Sequence, residues 1–137
     1  MSASRVAAVA AGLWAGMLLC VALIATPAPF ATLSPADAGR VVGRIFANEA
    51  YTSLVVALLL ITLERRRGQQ AMSGSVMLLL GTAFCTVAGY FAVQPLMAAA
   101  RAGQGSLSFG ALHAISLGFF ALKGLMVLSL AWRLAPR

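Results

Sequence analysis

Acidic side chains are almost missing: Asp37, Glu49 and Glu64 are the only three, set against nine Arg and one Lys. Histidine occurs once, at His113, and cysteine twice, at Cys20 and Cys85. One histidine cannot build a multi-histidine metal or haem centre. The cysteines lie inside apolar runs and lack metal-ligand spacing, so they read as small hydrophobes. No glycine loop of the phosphate-cradling kind is present, and no nucleophile stands at a recognisable spacing from a base. No soluble-enzyme constellation is therefore visible. Charged residues as a whole make up 9% of the chain, while soluble domains carry about 25%. With 61% hydrophobic residues, a water-soluble chain of 137 residues could not hide its apolar surface. A lipid bilayer is the natural solvent and first partner. The net charge of +7 would suggest nucleic acid in a soluble protein. Here the bases flank apolar runs without the aromatic interleaving that stacks bases, so they match lipid headgroups and no nucleic acid.

Four segments are long and apolar enough to span, at about 6–26, 36–64, 75–98 and 109–134. The first exceeds the ~7–15 apolar residues of a signal peptide and reads as a retained helix. It carries a ladder of small residues, Ala8, Gly12, Gly16 and Cys20, where another helix can approach. Thr26-Pro27-Ala28-Pro29 is expected to stop this helix, because proline lacks a donor and clashes with the preceding turn. Ser34-Pro35-Ala36-Asp37 then starts the second, with Ser as N-cap and an acid in the first turn. Glu64 to Gln70 reads as a polar loop, and Ala102 to Ser108 as a short Gly/Ser connection. Connections this short impose antiparallel neighbours: an all-α, up-down-up-down four-helix membrane bundle in a single domain.

Basic residues set the expected orientation. With the N-terminus inside, the inner segments hold Arg5, Arg65, Arg66, Arg67, Arg133 and Arg137; the outer ones hold Arg40, Arg44 and Arg101. Both termini are thus expected in the cytoplasm, in a bacterial-type inner membrane. Gly16-Met17-Leu18-Leu19-Cys20 also echoes Gly81-Thr82-Ala83-Phe84-Cys85, and a proline follows each. The halves read either as related hairpins in one orientation or as a chance likeness between apolar helices.

Ionisable groups inside a membrane are expensive and are functional candidates by default. Glu49 lies about 7 Å deeper than Arg44 along the second helix. Asn48, Thr52 and Ser53 are expected to share its face by helical spacing. It is either a carboxylate lining a polar cavity or an acid satisfied by its neighbours. His113, Ser116, Phe120 and Lys123 form a stripe on the fourth helix. His113 is a candidate metal ligand or proton acceptor, or else a packed, satisfied ring. Lys123 either pairs with Glu49 across the bundle or snorkels to a headgroup region. Thr82, Thr86, Tyr90 and Gln94 repeat every four residues beside Gly81, Cys85 and Gly89. The hydroxyls and amide either line a cavity or bond between helices. In the expected orientation Glu49, Tyr90, Gln94 and His113 share the outer half. That suggests an outward-facing polar pocket, with Asn48, Tyr51, Ser116 and Lys123 as further candidates for its lining, closed inward by Leu58 to Ile61. Metal ligation stays open, with His113 and Glu49 as its only candidates.

Thr26-Pro27-Ala28-Pro29-Phe30, followed by Ala38-Gly39-Arg40-Val41-Val42-Gly43-Arg44-Ile45-Phe46, resembles the signature of the transmembrane protein 205-like family. Pro27, Phe30, Gly39, Arg40, Gly43 and Phe46 carry the likeness, and Leu112-His113-Ala114-Ile115-Ser116 resembles that family's opening of the last helix. Tyr51 matches a tyrosine that many members carry. Lys123 departs from the pattern, and an expected nearby Asn is missing. The resemblance implies a small multi-helix membrane protein, with roles in efflux or tolerance of metals and drugs suggested for relatives. More distant copper-resistance and haem-pathway membrane proteins use several histidines, unlike this chain. Three functions follow as expectations. The first is binding or transport of a small solute or metal cation, in a homo-oligomer. The second is an accessory membrane subunit with no solute path. The third is a haem- or quinone-linked oxidoreductase. No cofactor is called for by the residues themselves, and haem or a metal ion stays open.

Overall fold

The computed structural model describes residues 2–135, so Pro136 and Arg137 lie outside the described residues. The chain is an all-helical bundle of four long apolar helices: α1 Ala3–Thr32, α2 Pro35–Arg66, α3 Gly74–Arg101 and α4 Phe109–Leu134. Each is long and apolar enough to cross a membrane. Leu13, Leu23, Leu58, Leu59 and Trp132 project outward, an arrangement that suits lipid and not water. Helix starts follow capping chemistry: the Oγ atoms of Ser34, Ser73 and Ser108 accept the backbone N–H of Asp37, Val76 and Ala111. Glycines in the left-handed region end two helices, Gly68 after α2 (φ 74°) and Gly103 after α3 (φ 72°).

Three boundaries differ from expectation. Helix α1 continues through Pro27 and Pro29 to Thr32. A π-helical segment, Val21–Ala25, precedes the prolines, and the Thr26 N–H reaches back to the Val21 carbonyl at 3.0 Å. Pro27 thereby falls on the first position of a fresh α segment, where a missing N–H costs nothing. Helix α3 passes Pro95 within its expected span of 75–98, with the π segment Val87–Ala92 upstream of it, and runs three residues further, to Arg101. Glu64 belongs to α2 and not to a loop. It continues the inward stripe of Ala57 and Leu60, is 2% exposed, and is neutralised by an ion pair with Arg67.

The helices pack as a square, with α1 on α2, α2 on α3, α3 on α4 and α4 on α1. The end bearing the termini is solid. Its core joins Ala7, Ala11, Trp14, Ala15 and Leu18 of α1 to Ala57 and Leu60 of α2, Leu79 of α3, and Val127 and Leu130 of α4. The small-residue face that packs is therefore Ala7, Ala11 and Ala15. Gly12, Gly16 and Cys20, expected at a seam, face outward within this single chain. Both ladders are small, and composition alone could not choose between them.

The other end is forked. Beyond the π segments, Pro27–Thr32 packs on α2 alone and Val93–Arg101 on α4 alone. The α3–α4 prong has its own seal of Val93, Met97 and Leu112. The prong is pinned at Gly89, whose carbonyl accepts the Ser116 hydroxyl at 2.7 Å. A Cβ at Gly89 would overlap that of Phe119, whereas one at Gly118 or Gly124 meets nothing within 4 Å. Gly89→Ala should therefore destabilise the detergent-solubilised protein by about 1–3 kcal/mol, the usual overpacking cost. Gly118→Ala should leave it unchanged. Thermal unfolding of the two variants side by side checks this.

Candidate functional site

The cleft between the prongs is a cavity of about 670 Å³. Its walls come from α2, α3 and α4, with Phe30 reaching in from the end of α1. On α2 the wall is Ala36, Gly39, Gly43 and Phe46, spaced 3, 4 and 3 residues apart on one helical face. No atom lies within 4 Å of where a Cβ on Gly39 or Gly43 would sit, so these glycines leave the cleft wide.

Glu49 and Lys123 form the floor. They sit on α2 and α4, the diagonal helices, whose Cα atoms come within 8 Å at no point among the described residues. Only long side chains span that gap. Lys123 Nζ donates to Glu49 Oε1 at 2.7 Å and to Oε2 at 2.8 Å. Ser53 Oγ, one turn along α2, donates to Oε1 at 2.5 Å. Trp14 Nε1 of α1 in turn donates to Ser53 Oγ at 3.0 Å. A chain of four side chains thus ties three helices through the bundle centre. Lys123 is 3% and Glu49 4% exposed, so neither is left to solvent alone. Aromatic contacts reinforce the crossing: Lys123 Nζ lies 5.0 Å from the Phe120 ring centre, and Phe46 meets Phe120 edge-on at 5.4 Å.

The mouth is basic. Arg40 pairs with Asp37, a turn away on the exposed rim. Arg101 stands over the Phe109 ring at 4.7 Å and is in no ion pair among the described residues. His113 stacks on the same Phe109, with ring centres 6.0 Å apart.

The sequence candidates divide. Glu49, Tyr90, Gln94, His113, Ser116 and Lys123 all line the cavity. Asn48 and Tyr51 are not brought to it. Each residue turns about 100° around a helix, so Asn48, next to Glu49, faces outward, and Tyr51 packs its ring on Phe91. Thr52 also faces out, its hydroxyl returned to the Asn48 carbonyl. The α3 ladder splits: Thr82 and Thr86 bond their own helix at 2.8 and 2.9 Å, while Thr86, Tyr90 and Gln94 line the cleft. Beneath the floor, Leu60 is part of the plug, with Ile61 packed against it; Leu58 and Leu59 face outward. His113 lies ten residues, about 15 Å, from Lys123 along α4. Among the described residues no three metal-ligating side chains cluster. Sequence reasoning missed Trp14 as a member of the polar chain. A buried indole needs an acceptor, which was the available signal. It also missed Arg101 and the glycine face of α2 as parts of the site.

Fold and site together define a polytopic helical membrane protein, plugged at one end and hollow at the other. The model of a family described as a domain of unknown function, DUF4149, matches residues 9–106, and the chain belongs to that family. The matched segment includes Glu49 and Arg101 and stops before His113 and Lys123. No curated protein and no solved structure matches the chain.

The Glu49–Lys123 pair predicts strong non-additivity. Lys123→Met leaves an uncompensated buried carboxylate, and Glu49→Gln an uncompensated buried ammonium; each should destabilise the fold by about 3–5 kcal/mol. The double variant should recover much of that loss. A double-mutant cycle on unfolding in mixed micelles reads the coupling, and additive effects would contradict the pairing.

Proposed function

We propose that this protein binds a small solute in the forked cavity from the outer side of a cytoplasmic-type membrane, as a carrier or transporter component. The observation that carries the reading is the cavity itself. An accessory subunit without a solute path has no use for 670 Å³ of space held open by glycines. Orientation rests on the bases. Arg5, Arg65, Arg66, Arg67 and Arg133 lie at the plugged end, against Arg40, Arg44 and Arg101 at the hollow end, so the mouth faces outward. Solute is a better description of the ligand than metal cation, because the floor carboxylate is already paired with an ammonium and the mouth carries two guanidinium groups.

The resemblance to the transmembrane protein 205-like family supports the same site. Of the residues that carry it, Phe30, Gly39, Arg40, Gly43 and Phe46 line the cavity. We propose on these residues that the chain is related to that group. The outward face of Gly12, Gly16 and Cys20 supports a homo-oligomer, since small residues permit close helix approach in lipid.

Thiol accessibility tests the cavity. In a background with Cys20→Ser and Cys85→Ser, Gln94→Cys should react with a membrane-impermeant thiol reagent added outside intact cells. Adding Gly43→Leu should slow that reaction. A Gln94→Cys thiol that stays unmodified from outside overturns the outward cavity. For the oligomer, native Cys20 should crosslink between copies in bilayers with a short bis-maleimide, and Gly16→Leu should abolish the product. A strictly monomeric result at high protein-to-lipid ratio overturns it.

A further inference from the structure

The shape and charge of the cleft narrow the class of solute. Its depth follows from the helices. Arg40 to Glu49 on α2 and His113 to Lys123 on α4 each span nine or ten residues, about 15 Å. That is half of the ~30 Å hydrocarbon thickness, or one leaflet. Between the charged ends the walls are largely apolar, including Phe30, Phe46, Met97, Leu117 and Phe120.

The cleft is also open sideways. On the mouth side of Val21, α1 leaves α4 and leans on α2 alone, so the α1–α4 seam has no backbone contact there. Phe30 on α1 and Leu117 on α4 line the cavity and are nonetheless 53% and 58% exposed. Leu117, six residues before Lys123, lies on this open side at acyl-chain depth, and Phe30, two residues before the end of α1, lies near the rim.

Charge at the mouth has one sign in excess. Arg101 has no acidic partner among the described residues, and Arg40 is only partly offset by Asp37 on the exposed rim. Helices α2 and α4 begin at the mouth while α1 and α3 end there, so the helix ends offset one another and the guanidinium groups set the sign. A cation is opposed there, and an anion at headgroup depth is favoured. The floor pair is internally neutral and presents no free charge to a chain end.

We infer that the cavity receives a single-chain amphiphile with an anionic head, a carboxylate or phosphate monoester, entering sideways from the outer leaflet. Its head sits between Arg101 and Arg40, and its chain lies against Phe46 and Phe120, ending above Lys123 and Glu49. This rests on the outward solute cavity proposed above and names its ligand.

The experiment uses the full chain in phosphatidylcholine nanodiscs with nitroxide-labelled probes read by electron paramagnetic resonance. The probes are labelled stearate, its uncharged methyl ester, and labelled single-chain lysophosphatidate. Stearate, lysophosphatidate or both should show a protein-immobilised component that the ester lacks, and which of them does identifies the head. Arg101→Gln changes an exposed residue and should weaken that association about fivefold, the order of one lost charge contact. Arg5→Gln, at the plugged end, should not. Gly43→Leu should abolish the component. Equal binding of the ester, displacement by millimolar inorganic phosphate or acetate, or insensitivity to both Arg101→Gln and Gly43→Leu overturns the proposal. Gln94→Cys accessibility measured in parallel separates the two failures. An open cavity that holds no amphiphile sinks only the ligand class, and a closed one sinks both readings.

Discussion

The contact on which this molecule depends is the ion pair between Lys123 and Glu49. Placing a lysine near the middle of a spanning helix costs about 2.5–3.5 kcal/mol before any partner is found. Here the ammonium meets both carboxylate oxygens, and the carboxylate also takes the Ser53 hydroxyl. The pair spans the diagonal of the square, which backbone packing does not close. It therefore serves as a strut, keeping α2 and α4 at a fixed separation where the apolar core ends. Below it Leu60, Leu79, Val127 and Leu130 fill the interior. Above it the interior is empty enough for a ligand. The indole of Trp14 extends the strut to the third helix and sets the rotation of α1, turning Ala7, Ala11 and Ala15 inward.

What opens the bundle above the strut is a device used twice. Each odd-numbered helix passes through a π-helical segment and then a proline: Val21–Ala25 before Pro27, and Val87–Ala92 before Pro95. After each, the helix keeps contact with the following helix and loses contact with its other neighbour. The short echo between Gly16–Cys20 and Gly81–Cys85 thus has a structural counterpart, since each stretch leads into one of these transitions. The outcome is two hairpins in the same orientation, fused at the plugged end and parted at the other.

The distribution of chemistry follows from that shape. Apolar side chains cover the cleft walls, and charge is confined to its two ends, paired at the floor and in excess at the mouth. The polar groups of α3 divide along the same line, with Thr82 satisfied by its own helix inside the packed region and Tyr90 and Gln94 facing the opening. The stretch from Gly39 to Phe46 is one wall of the cleft. A motif rich in glycine at that place is explained by the space it preserves.

The four spans, their order, the N-cap at Ser34 and the membrane solvent were all legible from the residues, because hydropathy, capping and connection length act locally. So was the candidacy of Glu49, His113 and Lys123, because a charge in an apolar run stands out wherever the run is placed. Rotation about each helix axis was not legible. Ala8–Gly12–Gly16 and Ala7–Ala11–Ala15 are equally small, and only the Trp14–Ser53 bond and the fit of neighbours choose which turns inward. The same 100° step separates Asn48 and Tyr51 from the cleft that Glu49 lines. Helix continuation past Pro27 was likewise hidden, because a local rule for proline cannot register a change of hydrogen-bond register upstream. By itself, then, the sequence determined what must lie in lipid and which groups need partners there. Tertiary structure decided which partners they find, because that depends on the azimuth of each helix and on where neighbouring helices part.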